Sequence, residues 1–245
     1  MGRFRRFQKE YLIASAVFLS IASLFFVFDR SRPPFYSVSD QEAAPILVPE
    51  ERVQHLKTPE PLKAIYMSSW VAGTKNWREE LAEFIDSTEL NSVVIDIKDY
   101  TGRISFELDD SYINELGSVE KRIPDINDFI KILHQKNIYV IGRISVFQDP
   151  YFVKKNPKVA VKKKDGSVWK DYKGLTWVDP AAREFWLYIV LVAKASEKMG
   201  FDELNFDYIR FPSDGNMKNI AYDHWDEKTP RAEVIKEFFS YLRRE

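Results

Sequence analysis

Past residue 61 the chain repeats one alternation four times: a short apolar run of strand type, then a stretch of helical period. Leu62–Trp70 reads as the first strand, and Asn76 as the N-cap of a helix Trp77–Ser87 with Glu79 at the capping-box position. Ser92–Lys98 is apolar and β-branched, the type of a strand covered on both faces. Pro124 opens a helix to about Lys136, with Ile126, Phe129, Ile130 and Leu133 on one stripe. Ile138–Phe147 is the third strand, and Asp179-Pro180 starts a helix that runs to Met199 and stops at Gly200. Glu203–Tyr208 is the fourth strand, and Thr229-Pro230 opens the last helix. Four strand–helix units in this order predict right-handed crossovers and a parallel sheet.

Side chains alternate faces along a strand, so each strand can be sorted by parity. Val93, Ile95 and Ile97 share one face of the second strand, and Val94, Asp96 and Lys98 the other. Arg143 and Ser145 share a face of the third strand, Tyr66, Ser68 and Trp70 of the first, and Asn205 and Asp207 of the fourth. All four strands turn polar or aromatic on one face near their C-terminal ends, where a parallel α/β sheet carries its site. Taken one at a time, Asp96–Lys98 and Asp207–Arg210 also read as plain strand-end ion pairs.

The N-terminal part breaks this pattern. Arg3, Arg5, Arg6 and Lys9 precede Tyr11–Phe28, eighteen residues without a charge, which reaches the length of a spanning helix and exceeds a usual signal-peptide core of roughly 7–15 residues. Residues 1–28 are therefore expected to be an uncleaved, single-pass signal anchor in the cell membrane, with a cleaved signal peptide as the alternative. The globular part is expected on the extracytoplasmic side. Residues 29–61 hold six of the twelve prolines and read as an extended spacer without chemistry. The domain proper is expected over 62–245.

Composition narrows the chemistry further. The absence of cysteine excludes disulfides, thiol nucleophiles and thiolate metal sites, and a net charge of −1 supplies no global field for a nucleic acid. His55, His134 and His224 are scattered without paired-ligand spacing, so no metal is expected, and no phosphate-binding or nucleophile-elbow motif points to a cofactor. The connection 149–177 is too long for a plain loop. It interleaves eight lysines with Tyr151, Phe152, Trp169, Tyr172 and Trp177, and Asp165-Gly166 reads as a hairpin turn inside it. It reads as a lid over a glycan site or, equally, as a solvated basic surface with Trp177 in the core. Nucleic acid is not expected as a partner.

Several motifs in order carry a resemblance: Tyr66-Met67-Ser68-Ser69-Trp70, Val94 to Gly102 (VIDIKDYTG), Gly142-Arg143-Ile144, Gly174 to Pro180 (GLTWVDP) and Phe206 to Gly215 (FDYIRFPSDG). Over about residues 62–245 the chain resembles a bacterial glycoside hydrolase domain family, long catalogued as a domain of unknown function and distantly similar to the α-amylase clan. That resemblance implies a (β/α)8 barrel of TIM type of which the chain holds the first four β/α units, the N-terminal half. It implies that Asp207 stands where the clan's nucleophilic aspartate stands, although the clan's arginine precedes its aspartate and Arg210 follows this one. The clan's acid/base glutamate lies on the fifth strand, which is expected beyond the end of this chain. Trp70, Asp96, Lys98, Asp99, Arg143, Trp177, Asp179 and Arg210 are the candidates for binding substrate, with Arg210 as the charge partner of Asp207. Lys98 beside Asp96 suits that carboxylate to hydrogen-bonding sugar hydroxyls rather than to giving a proton. The expected function is hydrolysis of a cell-surface or extracellular polysaccharide, with a non-catalytic glycan-binding or wall-associated module as the alternative. The open edges of a half barrel also allow self-association.

Overall fold

A computed structural model describes residues 53–245. The expected span Tyr11–Phe28 and most of the proline-rich spacer lie outside the described residues. Among the described residues no helix is long and apolar enough to cross a membrane.

The strands follow in chain order as β1 (Ala64–Met67), β2 (Ser92–Lys98), β3 (Tyr139–Ser145), a two-residue β4 (Lys162–Lys163), β5 (Glu203–Asp207) and a two-residue β6 (Ile220–Ala221). The helices are α1 (Ser69–Gly73), α2 (Lys75–Asp86), α3 (Ser111–Leu116), α4 (Ile126–Gln135), α5 (Pro150–Lys155), α6 (Arg183–Glu197) and α7 (Arg231–Arg244). The main sheet has the order β1-β2-β3-β5 with every neighbour parallel, as the alternation predicts. β1 and β5 are its outer strands among the described residues.

Hydrophobic parity sets the register. Val93, Ile95 and Ile97 are fully buried on one face of β2, and Phe129, Ile130 and Leu133 of α4 belong to the same core. Burying a side chain of that size contributes about 1.5–3 kcal/mol, and slipping β2 by one residue would expose all three. The same lock therefore fixes Asp96 on the opposite face. β3 approaches β2 closely at Gly142, where a Cβ would lie 2.2 Å from Ile97 Cδ1.

Some boundaries differ from the sequence reading. β1 ends at Met67 because Ser68 caps α1, its side chain accepting from Val71 N at 3.3 Å, so Trp70 is helical rather than on the strand. Helix α2 starts at Lys75 rather than at Trp77 after an Asn76 cap, because the extended Thr74 that ends α1 also serves as its N-cap residue. Asp179 does not cap α6, which begins after Ala182. The connection 149–177 is organised by α5, a 3-10 turn at Pro157–Val159, β4 and a hairpin whose turn includes Asp165 and Gly166, the latter at φ 81°.

The end of the spacer is docked. Asp202, at the N-terminal end of β5, accepts from Leu56 N at 2.6 Å and from Val140 N at 2.8 Å, and His134 Nε2 lies 2.9 Å from it. Thr58 Oγ1 meets Tyr139 OH at 3.0 Å. Residues 53–58 thus form a strap across the N-terminal edge of the sheet, where the sequence reading expected spacer to Pro61.

Candidate active site

The C-terminal ends of the parallel strands bring three charged side chains into one line. Asp96 and Arg143 are register partners on β2 and β3, and Arg143 Nη1 donates to Asp96 Oδ1 at 2.8 Å. The same guanidinium turns its Nε and Nη2 to Asp207 Oδ2, at 3.0 and 2.7 Å. Tyr66 OH on β1 donates to the second oxygen of Asp96 at 2.5 Å. The backbone N–H of Tyr208 donates to Asp207 Oδ1 at 2.6 Å. Four strands thus contribute to one chain of hydrogen bonds, Tyr66–Asp96–Arg143–Asp207.

Electrostatics explain why this chain holds together. Burial works against the charge of Arg143, but hydrogen bonds to Asp96 and Asp207 outweigh it and raise the guanidinium pKa above its ordinary value. Burial, and then the hydrogen bond to Asp96, push the Tyr66 phenol above its usual range. Arg143 also lies 5.9 Å from the ring centres of both Tyr66 and Tyr208, so aromatic faces flank it. Tyr208 takes φ 55°, a strained backbone for a residue with a Cβ, immediately after Asp207.

Above this line lies an open cleft of about 510 Å³. Tyr66, Trp70, Asp96, Asp99, Arg143 and Tyr208 line it, with Gln148, Lys173 and Leu175 from the long connections. Asp207 is not among the lining residues, and it reaches the cleft's edge through Arg143 and Tyr208 with its side chain 45% exposed. Trp70 is 60% exposed and its indole carries the Arg122 guanidinium at 4.6 Å. Arg122 in turn donates to Asp99 Oδ2 at 2.5 Å and to Ser69 Oγ at 3.0 Å. Asp99 Oδ1 accepts from Thr101 N at 2.9 Å.

The candidates from the sequence divide into two groups. Trp70, Asp96, Asp99 and Arg143 meet at the cleft, with Asp207 beside them. Lys98 does not: a register shift between Asp96 and Lys98 carries it under the sheet end, where it is fully buried. Its Nζ donates to Ser145 O at 2.5 Å and pairs with Asp149 Oδ2 at 2.9 Å instead of Asp96. Trp177 is fully buried, with its indole N–H on Asp171. Asp179 is fully buried too, and accepts from the backbone of Ala181, His224 and Trp225. Arg210 bonds Ser213 Oγ at 2.6 Å and stacks on Trp177, so Arg143, not Arg210, is the charge partner of Asp207. Arg122, Tyr208 and Gln148 are not among the sequence candidates, and Lys173 enters there only as one of the eight lysines of the 149–177 connection. They lie in irregular segments, where no period tells which way a side chain points.

Residues 64–245 match the family described as "Putative glycosyl hydrolase domain". A search of curated proteins gives no match. Among solved structures, a hypothetical protein from Ruminiclostridium thermocellum superposes with a TM-score of 0.68 at 34% identity, covering 74% of this chain and 91% of that one. A GH31 alpha-xylosidase from a soil metagenome, complexed with xylose, gives 0.50 at 15% identity, over 74% of this chain and 27% of that one. Alpha-L-fucosidase isoenzyme 2 from Paenibacillus thiaminolyticus gives 0.51 at 11% identity, over 74% and 29%. At those identities the two enzymes share the α/β fold with its parallel sheet, and this chain spans under a third of either one.

Proposed function

The chain belongs to the family matched over residues 64–245, and from that premise we propose that it is a glycoside hydrolase in which Asp207 is the nucleophile and the cleft beside it holds a cell-surface or extracellular polysaccharide. The observation that carries this reading is the Asp96–Arg143–Asp207 line at the C-terminal sheet edge, open to a cleft with an exposed tryptophan on its wall.

Glycoside hydrolysis asks one carboxylate to attack or to activate water, and a second carboxyl group to protonate the leaving oxygen. Asp207 suits the first task. Two N–H groups of Arg143 and one of Tyr208 fix its plane, and almost half of its side chain stays open. Attack by an Asp207 oxygen on the anomeric carbon forms a glycosyl ester as the bond to the leaving oxygen breaks and that oxygen takes up a proton from the solvent of the open cleft; water then attacks the same carbon, gives a proton back to solvent and frees the Asp207 carboxylate, with retention. Asp96 and Asp99 already accept hydrogen bonds on both oxygens, so they are given sugar-holding roles and neither is given the proton donor's. Trp70 offers a flat apolar face for a pyranose ring.

The test is release of reducing ends from a panel of cell-wall and storage glycans by the full-length chain and its Asp207→Asn variant. Loss of turnover by about 10³-fold or more, with the variant still folded and still binding glycan, is expected. Undiminished turnover removes Asp207 from the role. The full engagement of Asp96 and Asp99 also favours a second reading, a glycan-binding module without turnover. Binding without release of reducing ends by the unmodified chain identifies it. The basic N-terminus and Tyr11–Phe28 support an extracytoplasmic, membrane-anchored location, which alkaline extraction checks: release of the full-length chain into the supernatant removes it.

A further inference from the structure

Four charged side chains line the cleft: Asp96, Asp99, Arg143 and Lys173. Three are engaged in ion pairs inside the protein. Arg143 is shared between Asp96 at 2.8 Å and Asp207 at 2.7 Å, and Arg122 between Asp99 at 2.5 Å and Glu120 at 3.0 Å. Lys173 has no ion-pair partner among the described residues. Lys173 is therefore the charged side chain of this lining that is left to meet a ligand's charge, beside carboxylates already held by arginines.

Lys173 is presented by a fixed turn. Asp171, only 8% exposed, accepts from the backbone N–H of Lys173 at 2.9 Å and of Leu175 at 2.8 Å, and its other oxygen takes the Trp177 indole N–H at 3.1 Å. Gly174 closes the turn at φ 79°, its N–H on Asp171 O at 3.0 Å. Lys170 bridges to Thr176 across the same hairpin, and Tyr172 stands 81% exposed at its tip. Residues 150–177 carry eight lysines against two carboxylates, Asp165 and Asp171, and both of these are engaged within their own turns. The hairpin thus brings a basic edge to the cleft at Lys173.

We propose that the glycan taken by this cleft is anionic, carrying a carboxylate or a phosphate ester that lies against Lys173 Nζ while the sugar ring faces Trp70. This inference rests on the glycan-binding reading above and adds the chemical class of the substrate. Carboxylate and phosphate oxygens accept from an ammonium alike, whereas neutral sugars leave Lys173 unmatched.

Titration calorimetry of the full-length chain decides it, with tetragalacturonate and a phosphorylated maltotetraose as acidic probes and the matching uncharged oligosaccharides beside them. At least one acidic probe is expected to bind roughly five- to tenfold more tightly than its neutral counterpart, and to lose that advantage as salt shortens the Debye length. Which of the two it is separates carboxylate from phosphate. Lys173→Gln should bring the acidic probe down to the neutral value without altering neutral binding or thermal unfolding, and Lys173→Arg should keep the preference. Equal affinity for acidic and neutral probes, or no effect of Lys173→Gln, overturns the anionic class and leaves the glycan reading standing. Failure of every probe to bind the folded chain overturns both. Equal binding of an oligothymidylate of matched charge overturns the proposal in favour of unselective attraction to polyanions.

Discussion

Gly102 occupies a position that other residues enter only at a cost. Its φ is 80°, and a Cβ there would lie 1.9 Å from Asp149 Oδ1 and 3.0 Å from Tyr151 N. That same Asp149 oxygen caps α5 by accepting from Phe152 N at 2.7 Å, so it cannot swing aside without uncapping the helix. Gly102→Ala is expected to destabilise the fold by about 2–4 kcal/mol through combined backbone strain and overpacking. Urea unfolding checks this, and a loss below about 0.5 kcal/mol would show that the loop moves freely. Single residues also mark how far the sequence could be read. Asp96, Arg143 and Asp207 were brought to one edge by the two-residue period alone, because each sits inside a regular strand. Arg210 is only three positions from Asp207, yet the positive φ of Tyr208 turns the chain and sends it to Ser213. Nearness in sequence named the wrong arginine, and the register between strands named the right one.

Elements fail to follow the period where the ladder is irregular, and β2 is the case that matters. Its pairing with β3 shifts between Asp96 and Lys98, so Lys98 leaves the cleft face and pairs with Asp149, both side chains fully buried. This pair ties the end of β2 to the start of α5. It underlies both cleft-lining connections, since Gln148 precedes Asp149 and Asp99 and Tyr100 follow Lys98. Burial pushes the Asp149 carboxyl up, against the opposing pull of Lys98. A carboxyl whose folded pKa stands above its unfolded value adds stability at pH below the unfolded value, and that stability is lost as pH rises. Without Lys98 the charged form of Asp149 loses its counter-charge, so the penalty must grow with pH. Lys98→Met is expected to cost about 3–5 kcal/mol at pH 8 and clearly less at pH 5, where the lone carboxyl can take up a proton. Denaturant unfolding at both values tests it, and an equal cost at the two pH values would mean that Asp149 is not the group responsible. The connection 149–177, read either as a lid or as a basic surface with Trp177 in the core, was legible in part. The Asp165-Gly166 hairpin formed, and Trp177 went to the core because its indole N–H found the buried carboxylate of Asp171.

At the scale of the whole described domain the two edges of the sheet divide the labour. The C-terminal edge carries the Asp96–Arg143–Asp207 line, while the N-terminal edge is closed by the strap that Asp202 holds. In parallel α/β folds chemistry gathers at the first edge and stability at the second. The two aspartates of β5 and its threshold therefore make a matched pair of opposite character. Asp202 is a fully buried acceptor for Leu56 N and Val140 N, so Asp202→Ala leaves two backbone donors without a partner. About 2–3 kcal/mol is expected to be lost, roughly 5–10 °C in Tm for a domain of this size, with faster hydrogen exchange at the Leu56 amide. Glycan binding at a temperature where the variant remains folded should be unchanged, because Asp202 touches nothing in the cleft. Asp207→Asn should do the reverse, holding Tm within about 2 °C while turnover falls, since its side chain is nearly half exposed and Asn keeps an acceptor for Arg143. Differential scanning calorimetry and reducing-end assays on both variants check the division. A loss of glycan binding in folded Asp202→Ala would show that the strap acts on the cleft, and the two edges would then have to be treated as coupled.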